Sequence, residues 1–352
     1  MGKVSMHSVI KYAYSNARIK ARKSRILTKD FMAQLSATAD LDSALVMLMS
    51  TDYKPEMEEY GGTQIKSDMI DFALSKNLAS RVGQLSEIAP DEDTKLISLI
   101  TGLWEINNMK IAIEAKERGA SFDSISKYVI DYGRYGRAGV EIAMAQPNVE
   151  ETIFSFTKKS QYKGIIINAL KAYRASGNAL VATLELDKGY YTLLGESLDA
   201  IGAKDPGSTG IVRDEITMKN VSTLLRCKKR GMNPEETEKL LVPYGLMSIA
   251  RMLQVYSKTQ DVEELADKLH LFGLGTVLDA YRNRGQLLIF EMHMRSSIFQ
   301  KAKKLLTRSV LSFGNMVAYA YIKETEIFAL REILKAKEYS LGDNLSSIVL
   351  NA

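Results

Sequence analysis

Residues 105–117 read Glu-Ile-Asn-Asn-Met-Lys-Ile-Ala-Ile-Glu-Ala-Lys-Glu, and the pattern returns at 326–338 as Glu-Ile-Phe-Ala-Leu-Arg-Glu-Ile-Leu-Lys-Ala-Lys-Glu. Aligned without gaps, Glu105/Glu326, Ile106/Ile327, Ala115/Ala336, Lys116/Lys337 and Glu117/Glu338 are identical. A middle copy at 217–229 shares Asn220 with Asn108 and Lys228 with Lys116. Lys116 and Lys228 lie 112 positions apart, and Lys228 and Lys337 lie 109 apart. Internal repeats decide architecture before any local detail does. A period this long is too large for an ordinary solenoid and suits three small domains in the 352 residues,. The division expected is 1–133, 134–245 and 246–352. The blander explanation is that any two amphipathic helices share some pattern.

The units read as helix. Leu96, Leu99, Ile100, Leu103, Ile106, Met109 and Ile113 recur at three and four, so they form one stripe,. No Pro interrupts residues 96–118, Gly119 stands at a C-cap, and Ser121 can cap the next helix,. The middle copy repeats this grammar. A helix over 216–230 ends at Gly231, and Asn233-Pro234-Glu235-Glu236 starts the next one,. No period-two run is sustained, and the ambiguous apolar run at 163–168 is assigned to buried helix. Loops are expected at 55–63 with Gly61-Gly62, at 89–94 around Pro90, at 146–149 around Pro147, and at 202–210 with Asp205-Pro206-Gly207,. The repeat is imperfect: Ala329 stands where the middle copy has Asn220, and Thr217 matches Glu105. These polar positions are therefore not expected to do one job in all three units.

Motifs for chemistry are absent. A single Cys excludes an internal disulfide framework and a Cys-based zinc site,. The sequence has no G-x-x-x-x-G-K-[ST] loop, no strand-linked G-x-G-x-x-G and no H-E-x-x-H,. Cys227 lies between Arg226 and Lys228, which favours a thiolate, but a nucleophile also needs a base and an orienting group,. Glu58-Glu59 and Glu150-Glu151 are sequence neighbours, which on a helix do not face each other,. No catalytic residue, metal ligand, cofactor or small-molecule substrate is expected. Tyr outnumbers the other aromatics, with 17 against 10 Phe and 1 Trp, and suits half-buried helix contacts and interfaces,.

The charge is lopsided. Net charge is +5, yet residues 1–30 hold eight basic groups against Asp30, leaving 39 basic and 41 acidic in the rest. Arg18, Lys20, Arg22, Lys23 and Arg25 are the candidates to contact an acidic partner, nucleic acid or anionic lipid. A solvated helix face explains the same residues. No stretch approaches the ~18 apolar residues of a bilayer span, and the N-terminus lacks the apolar core of a secretory signal. A cytoplasmic, soluble chain is expected.

Several phrases taken together carry a resemblance. They are Tyr12-Ala13-Tyr14-Ser15-Asn16-Ala17-Arg18, Lys23-Ser24-Arg25-Ile26-Leu27, Thr51-Asp52-Tyr53, the run 184–191 (Leu-Glu-Leu-Asp-Lys-Gly-Tyr-Tyr), Asn220–Lys228, and the run 321–327 (Tyr-Ile-Lys-Glu-Thr-Glu-Ile). In this order and over essentially the whole chain, they resemble the C subunit of the archaeal and bacterial A/V-type rotary ATPase, a relative of the vacuolar ATPase d subunit. The resemblance implies an all-α protein of three similar domains with pseudo-threefold arrangement, funnel-like with a central opening. It implies a non-catalytic central-stalk adaptor of a proton- or sodium-translocating ATPase or ATP synthase. The implied partners are the D and F stalk subunits above and the membrane proteolipid ring below, with no nucleic acid. The chain would then be peripheral to the cell membrane through the complex. Polar positions near each repeated helix become stalk-socket candidates: Glu105, Asn108 and Lys110, Asn220 and Arg226, and Glu324, Glu326 and Arg331. The plainer alternative is solvated helix faces or inter-domain salt bridges worth ~0–1 kcal/mol each. A rival function is a basic helical scaffold for nucleic acid or an anionic membrane surface, and another is an enzyme using Cys227.

Overall fold

The structure, a computed structural model, describes residues 6–62, 65, 67–201, 206–308 and 312–339. Among these residues every regular element is a helix. After α1 (Met6–Lys23) the chain makes three passes, each ending in a long helix. The first runs through α2 (Lys29–Ala37), α3 (Leu41–Leu48), α4 (Lys54–Glu59), α5 (Ser67–Gly83) and α6 (Leu85–Ile88) to α7 (Asp91–Glu117). The second runs through α8 (Phe122–Ile125), α9 (Arg137–Met144), α10 (Val149–Ser155), α11 (Lys163–Ser176) and α12 (Ala179–Ile201) to α13 (Pro206–Lys229). The third runs through α14 (Pro234–Glu238), α15 (Ile249–Lys258), α16 (Val262–Lys268), α17 (Leu278–Arg284) and α18 (Leu288–Arg308) to α19 (Gly314–Glu338).

Local rules account for these boundaries. Asp40, Asn148 and Asp261 cap α3, α10 and α16, each accepting a backbone N–H three residues on,. Ser121 and Asn233 cap α8 and α14 as their sequence context requires. Gly119 and Gly231, both at φ +67°, take the left-handed position just beyond α7 and α13,. The apolar run at 163–168 opens α11 and buries Ile166.

The expected loops are shorter than the sequence suggested, because helix starts accept Pro where no hydrogen bond is lost. Pro55 lies in the first turn of α4, so helix occupies 54–59, and Gly61 and Gly62 make the turn at positive φ. Pro90 is the N-cap of α7, so residues 91–94 are helical. Asn148 caps α10, so Val149 is already helix. Pro206 begins α13, making Pro206-Gly207 its first turn, while residues 202–205, like Thr63, lie outside the described residues.

One apolar core runs through all three passes, from Leu35 and Leu48 through Ile106 and Leu224 to Leu330. Each long helix packs against the pass that follows it: α7 against α9, α10 and α12, and α13 against α14, α16 and α18. The last, α19, packs back on α2, α3 and α5, with α1 alongside. The last pass thus packs on the first.

A repeated lysine marks each closure. Lys116 donates to the Met144 carbonyl at 3.0 Å, and Lys228 to the Tyr256 and Thr259 carbonyls at 2.7 and 2.8 Å. Lys337 donates to the Ser36 carbonyl at 2.9 Å and to that of Thr38, 301 and 299 residues away in sequence. Each ammonium meets the C-terminal end of a short helix, where unpaired carbonyls and the helix dipole favour a cation. Lys228→Met should therefore cost about 2 kcal/mol, the range for hydrogen bonds from a charged donor. The exposed Lys258→Met serves as control, and chemical denaturation measures the difference.

Candidate functional site on the three long helices

The repeat spacing carries Ile100 to Val212 and Tyr321, and these three residues line one small cavity together. About one helical turn further on, the corresponding positions are Leu103, Glu215 and Glu324. Leu103 and Glu215 line the same cavity, where Tyr190, Tyr191 and Leu194 of α12 complete the wall. Burial pushes Glu215 up to about 7, with the Glu324 charge adding to it, and burial raises Glu324 as well,. Both keep part of their surface open to solvent.

Further along the helices lie cross-links to the neighbouring pass. Lys110 and Lys219 share one oxygen of Asp187 on α12, at 2.8 and 2.7 Å. The other Asp187 oxygen is buried without a partner. Burial lowers the Lys219 pKa, Asp187 opposes that shift, and the ammonium lies 5.0 Å from the Tyr191 ring centre. Arg226 pairs with Glu291 on α18. Arg331 pairs with Asp71 on α5 at 3.1 Å and donates to Ser75. Side-chain exposure rises along this face, from 22% at Lys110 and 27% at Arg331 to 55% at Arg226.

The remaining socket candidates point into the seams between passes. Glu105 accepts from the Arg134 and Tyr135 backbone N–H groups at 2.7 and 3.2 Å, and burial still raises its pKa. Thr217, the matching residue, accepts from the Leu246 N–H at 2.7 Å, so a hydroxyl does the carboxylate's work there, contrary to expectation. Glu326 accepts from the Leu27 N–H at 2.6 Å, from Tyr53 at 2.6 Å and from Lys323 at 2.8 Å. Lys323 also donates to the Tyr53 hydroxyl at 2.9 Å, and both charged side chains are almost completely buried. Asn108 accepts from the Ile130 N–H and donates to the Ile130 and Tyr135 carbonyls. Asn220 bonds the N–H and carbonyl of Val242 in the same way. Where the third pass has Ala329, this bracket is missing.

The basic N-terminal candidates divide into two groups. Arg22 donates to the Arg81 carbonyl and to Gln84, each at 2.9 Å, and Arg25 pairs with Asp52 at 3.3 Å. Arg18, Lys20 and Lys23 are exposed. Cys227 is buried, and burial pushes its thiol up, away from the thiolate that its basic neighbours suggested. His293 bonds the Phe272 carbonyl, and Glu150 pairs with Arg174. Among the described residues, no group of three His, Cys, Asp or Glu side chains is arranged to hold a metal ion, and no helix is long and apolar enough to cross a membrane.

Sequence reading missed Glu215, Lys219, Asp187, Lys323 and Tyr53. A signal existed for the first, since the repeat offset puts Glu215 and Glu324 where the first copy has Leu103. Asp187 and Tyr53 belong to other elements, and repeat alignment carries no information about them.

A family model described as ATP synthase (C/AC39) subunit matches residues 15–345. The chain is similar to the C subunit of the A-type ATP synthase of Pyrococcus horikoshii, at 27% identity over 331 residues, covering 93% of this chain and 86% of that one. The Methanosarcina mazei protein of the same name is 26% identical over 336 residues, covering 95% and 91%. The Methanocaldococcus jannaschii one is 24% identical over 330 residues, covering 93% and 82%.

The buried Lys323–Glu326 pair yields a sharp expectation. Lys323→Met leaves the Glu326 carboxylate buried without its cation and should cost roughly 3–5 kcal/mol. Adding Glu326→Gln should recover part of that loss. Denaturant unfolding of both variants measures it, and a double variant no more stable than the single one contradicts the coupling.

Proposed function

The chain belongs to the ATP synthase (C/AC39) subunit family, and on that premise we propose that it is a non-catalytic rotor adaptor joining the central stalk to the membrane proteolipid ring. In this reading the three passes are quasi-equivalent units around a central axis, and the funnel between α7, α13 and α19 receives the stalk tip. The observation that carries the proposal is the cyclic packing, in which each long helix docks on the next pass and α19 docks on the first. A ring closed this way meets a ring below and a coiled-coil tip above. It transmits torque because close-packed interiors resist deformation.

The exposure gradient from Lys110 to Arg226 supports an opening that widens toward the C-terminal ends of the long helices. Lys110, Arg226, Glu324 and Arg331 are the proposed socket wall. Glu105, Asn108, Asn220 and Glu326 stiffen that wall from behind through the backbone segments they hold. The partners are the D and F stalk subunits and the proteolipid ring, and attachment to the membrane is peripheral, through the complex. A second reading, a basic surface for nucleic acid or anionic lipid, is favoured only by the exposed Arg18, Lys20 and Lys23.

Size-exclusion co-elution with the stalk subcomplex separates the two readings. A one-to-one complex is expected at low salt. Arg226→Ala with Arg331→Ala should weaken it about tenfold, equivalent to ~1.4 kcal/mol. Reversing Arg18, Lys20 and Lys23 should leave it unchanged. Loss of binding on that reversal alone favours the basic-surface reading.

A further inference from the structure

A second cavity, of about 400 Å³, opens beside the first turns of α13, where Gly207 and Gly210 form part of its lining. Ile211 and Asp214 of the same helix, Lys301, Lys304 and Leu305 of α18, and Leu246 of the linker before α15 complete the walls. We propose that this cavity binds a free single-chain fatty carboxylate, with the acyl chain among Ile211, Leu246 and Leu305 and the carboxylate at Lys304. This goes beyond the rotor reading and does not depend on it.

The space is built, not left over. Gly210 has no positive φ, and a Cβ there would meet nothing within 4 Å, so neither backbone conformation nor crowding calls for glycine. Glycine inside a helix weakens it relative to alanine. What its missing side chain leaves here is room in the cavity. The opposite wall is held from three sides. Thr217 accepts the Leu246 N–H at 2.7 Å, Arg213 donates to the Tyr244 carbonyl at 3.1 Å, and the Tyr244 ring lies so close to Gly195 of α12 that no Cβ fits there. Tyr244 takes a left-handed φ of +71°, a conformation that persists only where the surroundings impose it,. A linker fixed in this way keeps Leu246 at the cavity although the residue stays 51% exposed.

Size and charge select the ligand. Small-molecule pockets span roughly 300–1,000 Å³, and this one lies near the lower end, which suits a single chain and not a helix of a partner protein. Ile211 is almost completely buried, so one wall is dry and apolar. Lys301 is committed to Asp214, reaching both carboxylate oxygens at 2.8 Å. Lys304 is exposed and pairs with no acid among the described residues. Two ammonium groups and one carboxylate leave a single positive charge beside an apolar wall. The complement is an apolar body with one anionic head. An amphiphile with a cationic head places like charges together at Lys304 and is rejected.

The test is isothermal titration calorimetry of the full chain with decanoate, kept monomeric at the concentrations used. One site is expected. Decylamine, with the same chain and a cationic head, and acetate, with the same head and no chain, should show no binding. Lys304→Met should weaken decanoate binding about tenfold. Lys303→Met, at an exposed neighbour outside the cavity lining, should leave it unchanged. Gly210→Leu places a good helix former in the open space and should abolish binding with the fold retained. Where Gly210→Leu fails to fold, the comparison of Lys304→Met with Lys303→Met decides. The proposal is overturned if native chain takes up no decanoate, if decylamine binds as well as decanoate, or if Lys304→Met binds like the native chain. Binding only to anionic phosphatidylglycerol vesicles, with none to monomeric decanoate, also overturns it.

Discussion

Closure of the last pass onto the first is the constraint on which the rest of the molecule depends. α19 has its C-terminal lysine, a buried carboxylate and an apolar stripe to satisfy, and the groups that satisfy them lie near the start of the chain. Lys337 reaches Ser36, Glu326 reaches Leu27 and Tyr53, and Arg331 reaches Asp71. Joining segments some 300 residues apart carries a loop-closure cost on the order of 5 kcal/mol. The buried set at this seam, with the shared apolar core, offsets that cost. Without it, α19 exposes its inner face and the first pass loses the helix that covers it.

The three seams solve one geometric problem with different chemistry. At the matching position a carboxylate, a hydroxyl and a second carboxylate each accept a backbone N–H. Only the third is coupled to a buried ammonium. Buried pairs of this kind contribute little net stability compared with apolar packing, but removing one member is expensive. Their effect here is to fix which segments meet, since the wrong segment leaves a charge unpaired. The lysine at each long-helix end ties that helix to the end of a short helix in another pass.

Stiffness and polarity are segregated along the long helices. At the cavity the long helices present apolar side chains, Tyr321 and the Glu215 carboxyl. Toward the C-terminal ends they become cations cross-linked to the next pass. In the proposed role this arrangement gives a rigid hub at one end and a charged mouth at the other.

Helices, caps and the repeat itself were legible in sequence because they rest on local rules: spacing of apolar residues, Gly at a left-handed position, Asn or Ser before a first turn. The equivalence of Lys116, Lys228 and Lys337 was visible for the same reason. Their carbonyl partners were not, since a carbonyl has no side-chain signature. The socket candidates illustrate the limit: Asn108 and Lys110 are two residues apart in sequence, yet one turns into a seam and the other toward α12. The sequence alone determined an all-helical chain with three related long helices and no motif for chemistry. Tertiary structure decided which polar side chains hold the seams, which stay exposed, and that the last pass packs on the first. Those outcomes depend on side-chain direction and on partners hundreds of residues away, and neither is written in local periodicity.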